Sequence, residues 1–272
     1  MPLLTLNEIE QAAPVFKGKS GRLLVSYLMK ALAVDKVNDL YDRNCSHSGP
    51  EFAKAILEDI GVRYTVYGGE KLESLPHGSF ITVSNHPYGS IDGIILADLF
   101  GHIRPDYKLI VNKILSRIKA LGPCFINVTP TGNERTAPTK DSLAGIKEAM
   151  RHVRDGHPLG IFPAGAVSDL SLKDRCVRDR EWQMPIIRLI RKLDVPVVPV
   201  RFLDRNSAFY YSLGLIDWRI RLLRLPSEVF NKRGKPVRIV CGDVITPERQ
   251  HSFTTAEEFG IFLRNTLYGL DL

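Results

Sequence analysis

The spacing of apolar and polar positions changes near residue 62, and that change divides the chain. Before it, 20–33 and 50–60 place apolar residues three and four apart, which is the helical period. After it, apolar runs at 79–84, 107–111, 124–128, 159–162, 195–200 and 237–241 alternate with longer helical patterns, including 140–154 and 181–193. Short apolar runs separated by helices describe a parallel sheet whose connections cover its faces. The expected fold is therefore α/β: a mostly parallel central sheet flanked by helices over 62–272, with an N-terminal helical segment, 1–61, packed on that core. In such sheets the peptides leaving the carboxyl ends of strands converge on one crevice, so chemistry is sought in a few loops.

Composition narrows the partners more than the fold. With 272 residues, 44% hydrophobic and 25% charged, the chain can bury one sizeable core and is neither disordered nor fibrous. Its net charge of +7 favours an anionic partner: lipid headgroups, nucleic acid or a phosphorylated carrier. Cys45, Cys124, Cys176 and Cys241 are scattered without metal-ligand spacing, and the seven histidines are dispersed too, so reduced thiols and no metal are expected. The start, MPLLTLNEIEQAAPVF, lacks a basic segment followed by a long apolar run, and other apolar stretches fall short of the roughly 20 residues that span a bilayer. A cytoplasmic protein is expected, peripheral on the inner face of a membrane.

The strongest chemical signal follows the first apolar run. Asn85-His86-Pro87-Tyr88-Gly89-Ser90-Ile91-Asp92-Gly93 leads from a strand into an apolar helix. An alcohol is a poor nucleophile near neutral pH, and an imidazole titrating near pH 6.5 can take its proton. A carboxylate on the second ring nitrogen would hold the tautomer and stabilise the imidazolium, as in a Ser-His-Asp triad whose serine is replaced by the substrate hydroxyl. Six positions at about 100° each put His86 and Asp92 on different faces of a regular helix. They can converge if Pro87 and Gly89 form a turn, with His86 at the strand exit and Asp92 in the first helical turn. The same residues also describe a plain helix start, with Asn85 or Ser90 as the cap and Asp92 favouring the positive end.

NHPYGSIDG resembles the His-to-Asp motif of the lysophosphatidate (glycerolipid) acyltransferase superfamily, in the form of its hemolysin-like branch of ornithine- and glycine-lipid O-acyltransferases. Most of the superfamily has four residues between the two, and the five in this chain match that branch. The resemblance implies the glycerolipid-acyltransferase fold, His86 and Asp92 as the catalytic pair, and Asn85, Pro87, Gly89 and Ser90 as substrate contacts. Gly122-Pro123-Cys124-Phe125-Ile126-Asn127 is similar to the second block, which implies roles for Phe125 and for Asn127, where the superfamily often has a phosphate-binding arginine. A neutral amide cannot replace a guanidinium's charge and paired hydrogen bonds, which disfavours a glycerol-phosphate acceptor. Arg135, in a polar loop, is a candidate cation in its place, although a solvated loop arginine is the plainer reading.

Phe162-Pro163-Ala164-Gly165-Ala166-Val167-Ser168 resembles the third block, commonly FPEGTRS, with Ala164 for the glutamate and Val167 for the arginine. Phe162, Pro163, Gly165 and Ser168 match, and such a turn can aim backbone N–H groups at an anion, where loss of one oxyanion donor costs about 3 kcal/mol in known enzymes. The segment 195–200 is similar to the fourth, proline-containing block, while Glu181-Trp182-Gln183 and Arg205-Asn206-Ser207 recur in the branch.

The resemblance implies transfer of an acyl group from acyl-CoA or acyl carrier protein, as co-substrate and without a cofactor, to a hydroxyl of a lyso-lipid, preferably an aminolipid. Lysophosphatidate is the alternative acceptor. Two stretches suit a monotopic membrane contact: 213–225, where Trp218, five leucines and two isoleucines mix with Arg219, Arg221 and Arg224, and 16–32 with its flanking basic residues. The first equally describes a helix whose apolar stripe packs on the sheet while its arginines face water. Competing functions are a thioesterase or lipid hydrolase in which His86 activates water, an acyl-enzyme route through Cys124, and a non-catalytic binder. No G-x-S-x-G elbow supports a serine hydrolase, and no recognised motif supports nucleic-acid binding. The oligomeric state is left open.

Overall fold

The computed structural model describes residue 27 and residues 29–129 and 140–272. Most of the predicted helix at 20–33 and of the basic stretch at 16–32, together with Arg135, lies outside the described residues. In chain order the elements are α1 (Val34–Asn44), α2 (Pro50–Ile60), β1 (Arg63–Tyr67), β2 (Ile81–Ser84), α3 (Ser90–Ile103), β3 (Lys108–Asn112), β4 (Phe125–Val128), α4 (Lys140–Arg154), β5 (Leu159–Ile161), β6 (Asp169–Ser171), β7 (Cys176–Arg178) and α5 (Met184–Leu193). They continue with β8 (Val197–Phe202), α6 (Ala208–Ile216), α7 (Trp218–Leu223), α8 (Leu225–Phe230), β9 (Pro236–Cys241), α9 (Pro247–His251) and α10 (Ala256–Gly269).

Seven strands form one sheet in the order β1-β9-β8-β2-β5-β3-β4. Strands β2, β3, β4, β5 and β8 run parallel, while β9 pairs antiparallel with β8 and carries β1 parallel to itself at the edge. The sheet is thus mostly parallel, as the alternation of strand and helix predicts. All four residues of β2 are buried, as expected of a strand enclosed by neighbours and covered on both faces. Strands β6 and β7 form a separate antiparallel pair beside α6.

Two apolar cores sandwich this sheet. On one face α2 and α3 pack together through Phe52, Ile56, Ile95 and Phe100, and on the other Ile190, Leu263 and Val153 bring α5, α10 and α4 together. Pro50 opens α2 and left-handed Gly61 closes it, returning its N–H to Leu57 and Glu58 carbonyls. An isolated 11-residue helix is marginal in water, so burial of Phe52, Ile56, Leu57 and Ile60, at roughly 1.5–3 kcal/mol each, is what holds α2 in place. Helices α1 and α2 therefore share the main core, through Leu40 of α1 as well.

The parallel arrangement collects the carboxyl ends of β2, β3, β5 and β8 along one edge. Among the described residues no helix is long and apolar enough to cross a membrane.

Candidate active site

Where β2 ends, the chain is clamped before it turns. Asn85 donates from Nδ2 to the Phe202 carbonyl (2.9 Å) and accepts the Phe202 N–H at Oδ1 (2.8 Å), a two-way bond to the end of β8. The His86 N–H donates to Asp179 Oδ1 (3.1 Å), and its carbonyl accepts the Ser168 N–H (2.9 Å). The Pro87 carbonyl accepts Tyr211 Oη (2.7 Å) and Asn206 Nδ2 (3.2 Å), and Asn206 also reaches the Tyr88 carbonyl (3.2 Å). Gly89 then adopts φ +84, open to glycine at little strain, and helix α3 starts at Ser90.

This turn resolves the angular conflict between His86 and Asp92. Asp92 is the third helical residue and folds back, so that Oδ2 accepts the N–H groups of Tyr88 and Gly89 at 2.9 Å each. The same Oδ2 stands 2.9 Å from His86 Nδ1, at an angle oblique to the ring N–H. Cap and histidine partner are therefore one carboxylate: Asp92, and not Asn85 or Ser90, caps the start of α3, and the same oxygen faces His86. Burial raises the Asp92 pKa from its ordinary value, opposed by His86 and by the two backbone N–H groups. With Nδ1 facing Asp92, Nε2 is the ring nitrogen left for an incoming proton. The imidazole lies against the Phe162 ring, centroids 4.1 Å apart, so its plane is held by packing as well as by charge.

His86, Gly89 and Ser90 line a cleft of about 220 Å³ whose remaining wall is largely apolar, including Ile110, Leu121, Phe125, Ile161 and Phe162. Such a lining fits a hydrocarbon chain beside the histidine. Gly165 borders the same cleft with φ +63, and a Cβ there would stand 2.2 Å from Gln183 Nε2. Gln183 closes the loop around that glycine: its side chain donates to the Ala164 carbonyl (3.2 Å) and its N–H to the Pro163 carbonyl (3.0 Å).

The predicted site residues thus fall into two sets. His86, Gly89, Ser90, Phe125, Phe162 and Gly165 line the cleft. Asn85, Pro87, Asn127, Pro163 and Ser168 do not. Asn85, Pro87 and Pro163 instead hold the loops through the hydrogen bonds already described, and Ser168 does so by donating Oγ to Asp179 Oδ1 (2.5 Å). Asp92 sits behind the histidine, wholly buried. Ala164 and Val167, which replace two charged residues of the third block, are buried among apolar neighbours.

Asp179 is a site component that sequence reasoning missed. Its buried carboxylate gathers the His86 N–H, the Ser168 hydroxyl and the Trp182 indole N–H (3.2 Å). Burial raises its pKa, and those donors oppose the rise. The signal available was its place three residues before Trp182 in the recurring Glu181-Trp182-Gln183 stretch. Arg221 was missed as well: it is 3% exposed, paired with Asp169 at 2.5 Å, and donates to the Ser168 carbonyl at 3.0 Å. Cys124, by contrast, is buried outside the cleft with its thiol pushed up to about 11 by burial, which makes it a poor nucleophile.

Residues 9–271 match the model of the acyltransferase family, and the chain belongs to it: it is an acyltransferase. Its relatives include the lyso-glycine lipid O-acyltransferase of Bacteroides thetaiotaomicron, 28% identical, with 92% of this chain and 90% of that protein aligned. The enzyme of the same name from Phocaeicola vulgatus is also 28% identical, over 97% of this chain and 95% of that protein. Among solved structures, the 1-acyl-sn-glycerophosphate acyltransferase of Thermotoga maritima superposes with a TM-score of 0.48 at 16% identity, over 91% of this chain and 93% of that one.

Proposed function

We propose that the protein moves a fatty acyl group from a thioester, acyl carrier protein or acyl-CoA, to the hydroxyl of a lyso-aminolipid such as a monoacylated glycine lipid. The observation that carries this reading is the His86–Asp92 pair, 2.9 Å apart, with His86 lining an apolar cleft. His86 Nε2 removes the hydroxyl proton while the oxygen attacks the thioester carbonyl, and Asp92 steadies the imidazolium that forms. The tetrahedral oxyanion develops near Ser90, at the positive end of α3, and near the Gly165 turn. As it collapses, the C–S bond breaks and the leaving thiolate takes the proton from His86, giving ester and thiol. No enzyme nucleophile is used.

The aminolipid acceptor is supported by the names of the two relatives, and by Ala164, Val167 and Asn127, uncharged where the phosphatidate-forming branch has charge. On this reading the reaction takes place at the inner face of the membrane, where a basic, peripheral protein meets a lipid acceptor and a cytoplasmic donor.

The test is incubation of purified protein with labelled acyl-CoA or acyl carrier protein and a panel of lyso-lipids, products being identified by mass. Ester should form on lyso-glycine or lyso-ornithine lipid, and His86→Ala should lower turnover by about 100-fold or more without unfolding the chain. Preferential acylation of lysophosphatidate would overturn the acceptor. Release of free fatty acid as the sole product would make the protein a hydrolase.

A further inference from the structure

The helices α6 and α7 are turned inside out for a surface that meets only water. On a water-exposed helix apolar residues pack inward and arginines point out. Here Leu215, Ile216, Trp218, Ile220, Leu222 and Leu223 are all exposed, Ile216 at 76% and Trp218 at 50%, with Phe209 exposed before them in α6. Arg221 instead points in, to the carbonyls of Ser168 and Val167 and the carboxylate of Asp169, with its guanidinium 5.3 Å from the centre of the Tyr210 ring. Arg224 bends back over the Phe209 ring, 5.5 Å from its centre.

Such a display costs a soluble protein solubility unless something apolar covers it, and large contiguous apolar patches mark interaction sites. Two observations choose the cover. With Arg221 engaged inside by Asp169, the stretch 205–224 still carries Arg205, Arg219 and Arg224 against the one acid Asp217, a complement to anionic headgroups, and a half-exposed tryptophan among leucines and isoleucines suits the bilayer interface. The patch is also continuous with the catalytic turn. Tyr211 of α6 donates to the Pro87 carbonyl, and Leu225, just past α7, lies so close to Gly89 that a Cβ there would stand 2.9 Å from its Cδ2.

We propose that the exposed face of α6 and α7 inserts shallowly into an anionic bilayer, holding the His86 turn at the depth where a lipid hydroxyl resides. This rests on the reading of the acceptor as a membrane lipid. Arg221 is the positioning residue of the device, because it ties the inserted helix to the loop that carries Ser168 and Asp169.

The chain has two tryptophans, and the other, Trp182, is buried, so fluorescence reports on the patch. With vesicles of equimolar phosphatidylglycerol and phosphatidylcholine, brominated acyl chains should quench Trp218. The variant Ile216→Ser/Ile220→Ser/Leu223→Ser should sediment with these vesicles about tenfold less than the parent. It should lose turnover on vesicle-borne acceptor in proportion, yet stay within about twofold on a short-chain, water-soluble acceptor, where no docking is needed. Unquenched Trp218 in the parent chain, or undiminished sedimentation of the variant, overturns the proposal. So does a dimer that the substitutions split while vesicle binding persists, which would assign the face to a second copy. Should the parent dock through this face and yet acylate no lipid, the surface stands and the acyl-transfer reading falls.

Discussion

Asp92 combines two demands that a single side chain rarely meets, and its burial sets the sign of a pH effect. Its pKa lies above the ordinary aspartate value of about 3.9, so the folded chain takes up this proton at higher pH than the unfolded chain. Below the ordinary range the group is neutral in both states. As pH rises from there through the raised folded value, stability is lost, and the loss persists at neutral pH. Asp92→Asn is neutral throughout, so it should gain stability relative to the parent over that interval and keep the gain at pH 7. Its turnover should meanwhile fall by about 10²–10⁴-fold, since an amide cannot steady the imidazolium. Thermal unfolding at low and neutral pH, together with turnover, checks both parts. A variant equally destabilised at each pH, with normal turnover, would remove the orienting role. The His86–Asp92 pair was legible in the sequence because one short motif contains both residues and the turn that joins them. Asp179 was not, because its bond to His86 spans 93 positions, and its place three residues before Trp182 says nothing of that partner.

At the scale of elements, the Phe162–Gly165 turn is where sequence and backbone agree most closely. Gly165→Ala would place a methyl group 2.2 Å from Gln183 Nε2 on a backbone with φ +63. We expect a stability loss of about 1–2 kcal/mol from the left-handed conformation alone, with turnover falling as Gln183 is pushed into the cleft. Gly78→Ala, where an added Cβ meets nothing within 4 Å, is the control, and urea unfolding with parallel turnover measurements compares the two. If both variants behave alike, the turn is not under the constraint described. The apolar runs located β2, β3, β4, β5, β8 and β9, since enclosed strands read as continuous hydrophobic stretches. The edge strand β1 escaped because Arg63-Tyr64-Thr65-Val66-Tyr67 alternates between exposed and half-buried positions, and the brief β6–β7 pair offers only one apolar residue per strand, Leu170 and Val177. Strand direction is likewise silent in periodicity, so the antiparallel pairing of β9 with β8 leaves no mark in the sequence.

For the molecule as a whole, the +7 charge is a statement about encounter rates more than about fold. If an acidic carrier protein presents the acyl group, kcat/KM should fall by about tenfold as added salt shortens the Debye length from ~10 Å toward ~3 Å. An uncharged short thioester should show almost no such dependence. Equal salt profiles for the two donors would remove electrostatic capture of the carrier. One consequence of the clamp between Asn85 and Phe202 concerns synthesis. Its two ends are 117 positions apart in the chain, so the turn bearing His86 is secured only after β8 has been made and docked against β2. A nascent or proteolytically shortened polypeptide therefore possesses the reactive imidazole without the scaffold that aims it.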